Sequence, residues 1–382
     1  MSRLSVVAAA VLATAACGSS RRAAPPGDGG ATAGNPRDGA AVAPADGGTA
    51  VVASPSRPAL SADEVAALPG RILAAAGREG AYRVIVLDPA HPGPGRTLTP
   101  AGGSWFPAPT PVAMALHTID AGDVHTEQLV RLGAGPDDAT ALGAASARVR
   151  APTTTADGKV IVVESDARSF RDLYRIDPRT GAASRLTDDP AGNFEPSLSP
   201  DGKRVAFTSS RDGDAEIYVM DLGGGHLQRL TAFHRDDWGA AWSPDGAWIA
   251  FVSDREGGPR IFLVHPDGTG ARHLHDGDAA GEELAPTWSP DGRRVAYTVS
   301  TRDGASEVWI ADVAAATATR LSAPGARDEA PAWSPDGAHL VYASTRDRRI
   351  DLWIARADGT AESRLTDTPE EEWIPRWLTG AP

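Results

Sequence analysis

Apolar and polar positions alternate over short runs along most of this chain, and the runs return at a fixed distance. The stretch EPSLSPDGKRVAFTSSRDGDAEIYVMDLGGGHLQRLT, Glu195 to Thr231, shows the unit. Its period-two pattern predicts strands at Arg204 to Ser209 and Glu216 to Asp221, with a shorter strand before SPDG and another at Leu227 to Thr231. We label these four strands A to D. Pro sets φ for the first central position of a type I turn, Asp suits the second, and Gly takes the left-handed position. SPDG is therefore a hairpin turn joining A to B.

The SPDG tetrad begins at Ser199, Ser243, Ser289 and Ser334, and a weaker copy, TADG, begins at Thr155. Periods of about 45 residues indicate a propeller or a solenoid. Strand B candidates start near Arg71, Val112, Val160, Val205, Ile249, Val295 and Leu340, which makes seven units. The first unit lacks a strand A, and the chain closes on an orphan one, WIPRW, Trp373 to Trp377. Pairing the two ends completes a blade and removes the exposed edges of an open array. The expected fold is all-β, a single β-propeller of seven four-stranded blades closed by the C-terminal strand. Six is the alternative, because the second unit has lost its tetrad. A Trp stands before three tetrads, Trp242, Trp288 and Trp333, and again at Trp377, with Leu198 once in its place. One flat residue per unit at constant phase predicts packing between neighbouring sheets.

WSPDG, AFTSSRDGDAEIYVMD and RLT together resemble the propeller repeat of TolB-type periplasmic proteins, relatives of the WD-repeat propellers. The resemblance runs from Gly70 to Trp377 and is strongest from Glu195 onward. It implies a β-propeller in the cell envelope and, by the example of TolB itself, a partner such as the Pal lipoprotein. TolB carries an α/β domain before six blades, whereas this chain offers a low-complexity tether and seven units. Similar repeats precede hydrolase domains in prolyl-oligopeptidase relatives and occur in some sugar lyases.

Composition changes the picture at the N-terminus. MSRLSVVAAAVLATAACGSS has a charged start, an apolar run too short to span a bilayer, and small residues leading to Cys17, the single cysteine. This resembles a lipoprotein signal, with Cys17 acylated and residues 1–17 forming the signal segment. Residues 18–60, rich in Ala, Gly and Pro, read as a disordered tether with a reach of about 35 Å, and residues 61–382 as the propeller. The expected location is the bacterial cell envelope, lipid-anchored, facing the periplasm or the outer surface. The net charge of −13, with only Lys159 and Lys203 among the lysines, argues against nucleic acid and toward cations or basic protein segments.

No catalytic residue is singled out: no G-x-S-x-G, H-E-x-x-H or Walker loop occurs. In RHLHDGD, His273 and His275 share a strand face with carboxylates beyond, a pattern that reads as a solvated surface before it reads as zinc. The sharper feature is a position just before each strand A, occupied by Asn193, Asp237, Glu283, Asp328 and Glu372, with Ser104 and Val149 in the degenerate units. In a propeller, equivalent positions form a ring. Asp188, Asp189, Glu195, Asp236, Asp276, Asp278, Glu282, Glu329, Glu370 and Glu371 lie nearby. Two readings follow and are compatible: an acidic channel mouth that attracts a basic segment or a divalent cation, and carboxylates accepting hydrogen bonds from adjoining blades. His234, Arg235 and Trp238 share this face as a candidate hot spot. Arg211, Arg255, Arg302 and Arg346, in the B-to-C connections, predict turn or inter-blade ion pairs.

The function expected is a non-enzymatic, monomeric binding scaffold without a cofactor. The alternatives are a lyase-like enzyme using a metal or a His/Arg site at the channel mouth, and a Tol-Pal component.

Overall fold

The computed structural model describes residues 57–378 except 79–80, 92, 101–103, 122–123, 144–147, 169, 277–280, 324 and 348. Cys17, the signal segment and most of the tether lie outside the described residues.

Seven four-stranded antiparallel sheets form, each in the order A-B-C-D. Blade 1 takes its strand A, Glu371–Leu378, from the C-terminus and its strands B and C, Arg71–Arg78 and Ala81–Leu87, from the start of the domain. The pairing Arg71 with Leu378 and Ile72 with Trp377 closes the ring. The strands A of successive blades pack against one another about the axis, with strands D outermost. Blade 2, from Ser104 to Leu142, is a complete sheet despite its lost tetrad, so the six-blade alternative is excluded.

Why the ring is stable is visible in its core. Strands B and C are buried on both faces, as IVVES at Ile161–Ser165 and EIYVMD at Glu216–Asp221 show. Seven apolar clusters result, one at every junction between adjacent blades, including the junction of blade 7 with blade 1. The Trp anchors sit in these clusters: Trp242 packs with blade 4, Trp288 with blade 5, Trp333 with blade 6 and Trp377 with blade 7. The indoles of Trp288 and Trp333 also donate to Ala241 O and Thr287 O on the preceding strand A, at 3.0 and 3.1 Å.

The tetrads form the expected turns. Ser199 Oγ donates to Asp201 Oδ1 (2.6 Å), Gly202 N donates to Ser199 O (2.8 Å), and Gly202 has φ +66°. TADG has the same form: Gly158 N donates to Thr155 O (2.9 Å) at φ +67°. A Cβ on Gly202 would also stand 2.8 Å from Thr155 Cγ2, so the turns of neighbouring blades pack edge to edge.

Two features depart from expectation. Residues 57–60, read as the end of the tether, pack on the ring: Pro58 O accepts from Glu362 N, Leu60 N donates to Ser363 Oγ at 2.8 Å, and the short helix Ala62–Ala66 follows. Glu64 then forms a bidentate pair with Arg356 and meets His339 Nε2 at 3.1 Å. This segment covers the outer edge of blade 7, where a bare strand D would invite pairing with another chain. The second departure is a bulge in strand A of every blade except blade 2, with positive φ at Ala151, Glu195, Gly239, Ala285, Ala330 and Ile374. In five of these the next residue is Pro, which has no N–H for a ladder and is tolerated because the bulge interrupts it.

Candidate functional site

The ring positions picked from the sequence are indeed equivalent in space, but they do not make a solvent-facing crown. Asn193, Asp237, Glu283, Asp328 and Glu372 are all 2% exposed or less. Each is among the first three residues of a strand A, and over three of them the B-to-C connection folds an arginine. Asn193 Oδ1 accepts from Arg211 Nη2 at 2.7 Å, Asp237 Oδ2 from Arg255 Nη2 at 3.1 Å, and Asp328 Oδ2 from Arg346 Nη2 at 2.9 Å. Arg302 breaks the series. It is exposed, and Glu283 is met instead by His275 Nε2 at 3.0 Å and by Ile261 N at 2.9 Å. Glu372 accepts from Thr366 and Thr368. A buried carboxylate without such partners costs several kcal/mol, roughly, so burial and pairing go together.

The RLT signature belongs to the same belt. Its Thr side chain accepts from strand C, as in Thr187 Oγ1 from Leu173 N and Thr231 Oγ1 from Ile217 N, both 2.9 Å. Its Arg pairs with the acid that opens strand C: Arg185 with Asp172, Arg229 with Glu216 and Arg364 with Asp351. Asn193 Nδ2 reaches Asp172 Oδ1 at 3.1 Å, linking blade 4 to blade 3. Sequence reasoning separated the acids from the RLT motif. In the fold they are halves of one inter-blade network.

Because B-to-C arginines reach the start of strand A, the B-to-C and D-to-A loops share one face. His234 and Arg235 are exposed there, and the guanidinium of Arg255 lies 3.7 Å from the ring centroid of Phe233. Trp238 is a correction: it is buried between blades 5 and 6, because strand A turns it into the junction. Glu195 is corrected likewise, and Asp278 lies outside the described residues. Carboxylates that do reach solvent on this face include Asp276 and Glu282, and Asp188, Asp212, Glu256 and Asp367, the last four with side chains 81%, 48%, 52% and 71% exposed. Phe170 and Phe233, nearly half exposed, share the face, and sequence reasoning passed over both. Their only signal was a large apolar residue inside a polar loop.

Titration is perturbed upward inside the belt. Glu195 is pushed up to about 8 by burial and by the neighbouring Glu164 carboxylate. Its Oε2 accepts from Gly239 N on the next blade at 2.9 Å. Burial also raises Asp328 and Glu372. The Glu283 carboxylate raises His275 against the opposing effect of burial. His273 turns away to Glu256, at 2.8 Å, so the two histidines do not converge on one ion, and His275 is buried rather than solvated. Among the described residues no group of three or more His, Cys, Asp and Glu side chains is placed to hold a metal, and no helix is long and apolar enough to cross a membrane.

Two family models each match part of the ring. Residues 269–380 match the TolB beta propeller domain, and residues 149–279 match the Tricorn protease N-terminal beta propeller domain. Over residues 269–380 the chain thus carries TolB-type propeller repeats. TolB from Acinetobacter baumannii is similar over 81% of this chain and 68% of its own, at 24% identity and a TM-score of 0.54. Oligogalacturonate lyase from Vibrio parahaemolyticus is similar over 79% of this chain and 86% of its own, at 12% identity and a TM-score of 0.56. At such identities these likenesses show the shared β-propeller fold alone. An uncharacterized protein of Agrobacterium fabrum is 29% identical over 88 residues, which is 23% of this chain, and the chain spans 30% of that relative's length.

Proposed function

We propose that this TolB-type propeller is a non-enzymatic protein-binding scaffold of the cell envelope, tethered through a lipid on Cys17, and that it docks its partner on the B-to-C and D-to-A loop face. The observation that carries this reading is the joint placement of Phe170 and Phe233 with the exposed carboxylates Asp188, Asp212, Glu256 and Asp367 on that one face. Exposed aromatic rings supply anchors, and carboxylates around them select a basic segment and speed its approach. The belt beneath gives the loops a rigid support, so recognition lies in the loops and stability in the sheets.

The test is affinity capture from envelope extracts with the mature chain, comparing it with Phe233→Ala and with Asp212→Lys/Glu256→Lys. The captured species should be lost from both and released from the parent by raised salt. An unchanged set of captured species overturns the reading. Capture of a peptidoglycan-associated lipoprotein would assign the chain to a Tol-Pal system. Charge reversal at Asp237 or Asp328 would not serve, because it breaks the buried belt.

A further inference from the structure

A different place on the ring has donors left over. At two junctions the inner strands are linked by a repeated device. Thr153 Oγ1 of blade 3 accepts from Leu198 N of blade 4 at 3.3 Å, and Ser197 Oγ of blade 4 accepts from Trp242 N of blade 5 at 3.1 Å. Strand register puts Arg376 at this same position in blade 1. It pairs with Leu73, one residue before the Trp377 and Ile72 pair, just as Ser197 pairs with Ala206 one residue before Leu198 and Val205.

Across the junction, blade 2 has Pro107 where blade 5 has Trp242. Ala108 N donates to Met114 O as Ser243 N donates to Trp248 O, which fixes the equivalence. Both halves of the device are therefore replaced: the acceptor has become a guanidinium, which cannot accept, and the donor has become a proline, which has no N–H.

Arg376 is consequently underused. Nη1 donates to Pro375 O at 3.2 Å, while Nε is buried without a partner. Among the described residues no carboxylate pairs with it. Burial alone pulls the guanidinium down to about 10. The residue as a whole is partly exposed, with its Nε turned inside. The free Nε–Nη2 edge is the side-on pair of donors that matches the two oxygens of a carboxylate. A partly desolvated cation without a counterion is costly to the fold.

We propose that Arg376 anchors an anion site on the inner wall at the junction of blades 1 and 2, and that this site takes a carboxylate group. The site is distinct from the loop face and does not depend on that face being a docking surface. The carboxylate belongs either to a small acid or to the C-terminus of a peptide entering along the axis, and the two share the chemistry that Arg376 reads.

The test is calorimetric titration of the mature chain with succinate and with acetyl-trialanine carrying a free or an amidated C-terminus. Saturable binding of at least one free-carboxylate probe is expected, with none of the amidated peptide, and the tighter of the two carboxylate probes tells the sources apart. Arg376→Lys, which keeps the charge and loses the fork, should weaken binding about tenfold, and Arg376→Met should abolish it. Without ligand, the Met variant should melt at or above the parent's temperature, where a purely structural arginine would melt lower when replaced. If the Met variant fails to fold, the Lys variant decides. The proposal is overturned if no carboxylate probe binds the parent chain, if the amidated peptide binds as well as the free one, or if the folded variants bind like the parent.

Discussion

Blades 2 and 5 solve the same packing problem with different means. Blade 5 has the SPDG turn, a bulged strand A, a buried Asp237 held by Arg255, and Trp242 packed on blade 4. Blade 2 has no tetrad, and its strand A runs without a bulge from Ser104 to Pro107. What the two share is apolar: Ala115, Leu129 and Val130 in blade 2 are as deeply buried as Ala250, Phe251 and Leu263 in blade 5. The ring therefore requires two buried faces on every sheet, and the polar belt is an addition that fixes the geometry of the loops.

The comparison breaks first at the closure. Removing residues 371–382 deletes the strand A that blade 1 borrows, exposing strand edges on blade 1 and one face of blade 7. The expected outcome is loss of cooperative unfolding and aggregation, read by calorimetry and light scattering. Next in size, Trp333→Ala empties a buried site between blades 6 and 7 and should cost roughly 3–5 kcal/mol by urea unfolding. Arg255→Met should cost about as much at most, since it leaves Asp237 buried and unpaired. Adding Asp237→Asn should recover part of that loss, which a packing effect alone would not allow.

A smaller and pH-dependent effect comes from Glu195. Its folded-state value near 8 lies above its ordinary value of 4.5, so the folded protein holds a proton that the unfolded chain releases. Its contribution is fully present below about pH 4.5 and is lost as pH rises through about 8. Glu195→Gln keeps an acceptor for Gly239 N and removes the titration. The variant should match the parent near pH 5 and melt several degrees higher at pH 9; a constant difference across that range would sink the assignment.

Much of the architecture was legible beforehand. Four SPDG tetrads and a TADG marked the hairpins, period-two runs marked strands B and C, and the orphan WIPRW announced the closure, because each of these rests on contacts within one unit or on a pattern repeated seven times. The candidate site was legible only in part. Asn193, Asp237, Glu283, Asp328 and Glu372 were found as equivalent positions, yet their burial was not, since an aspartate beside a loop has the same spelling whether an arginine eighteen residues later folds over it or solvent does.

By itself, then, the order of residues determined the repeat, the strands, the turn chemistry and the joining of the two ends, all of which follow from local periodicity and backbone preference. Only the tertiary structure decided which charges are spent inside and which remain for a partner. Pairing Asp237 with Arg255, turning Trp238 inward, and leaving Arg376 opposite a proline depend on register and on the neighbouring blade. Burial and hydrogen bonding are properties of surroundings, and those exist only once the sheets have closed their ring.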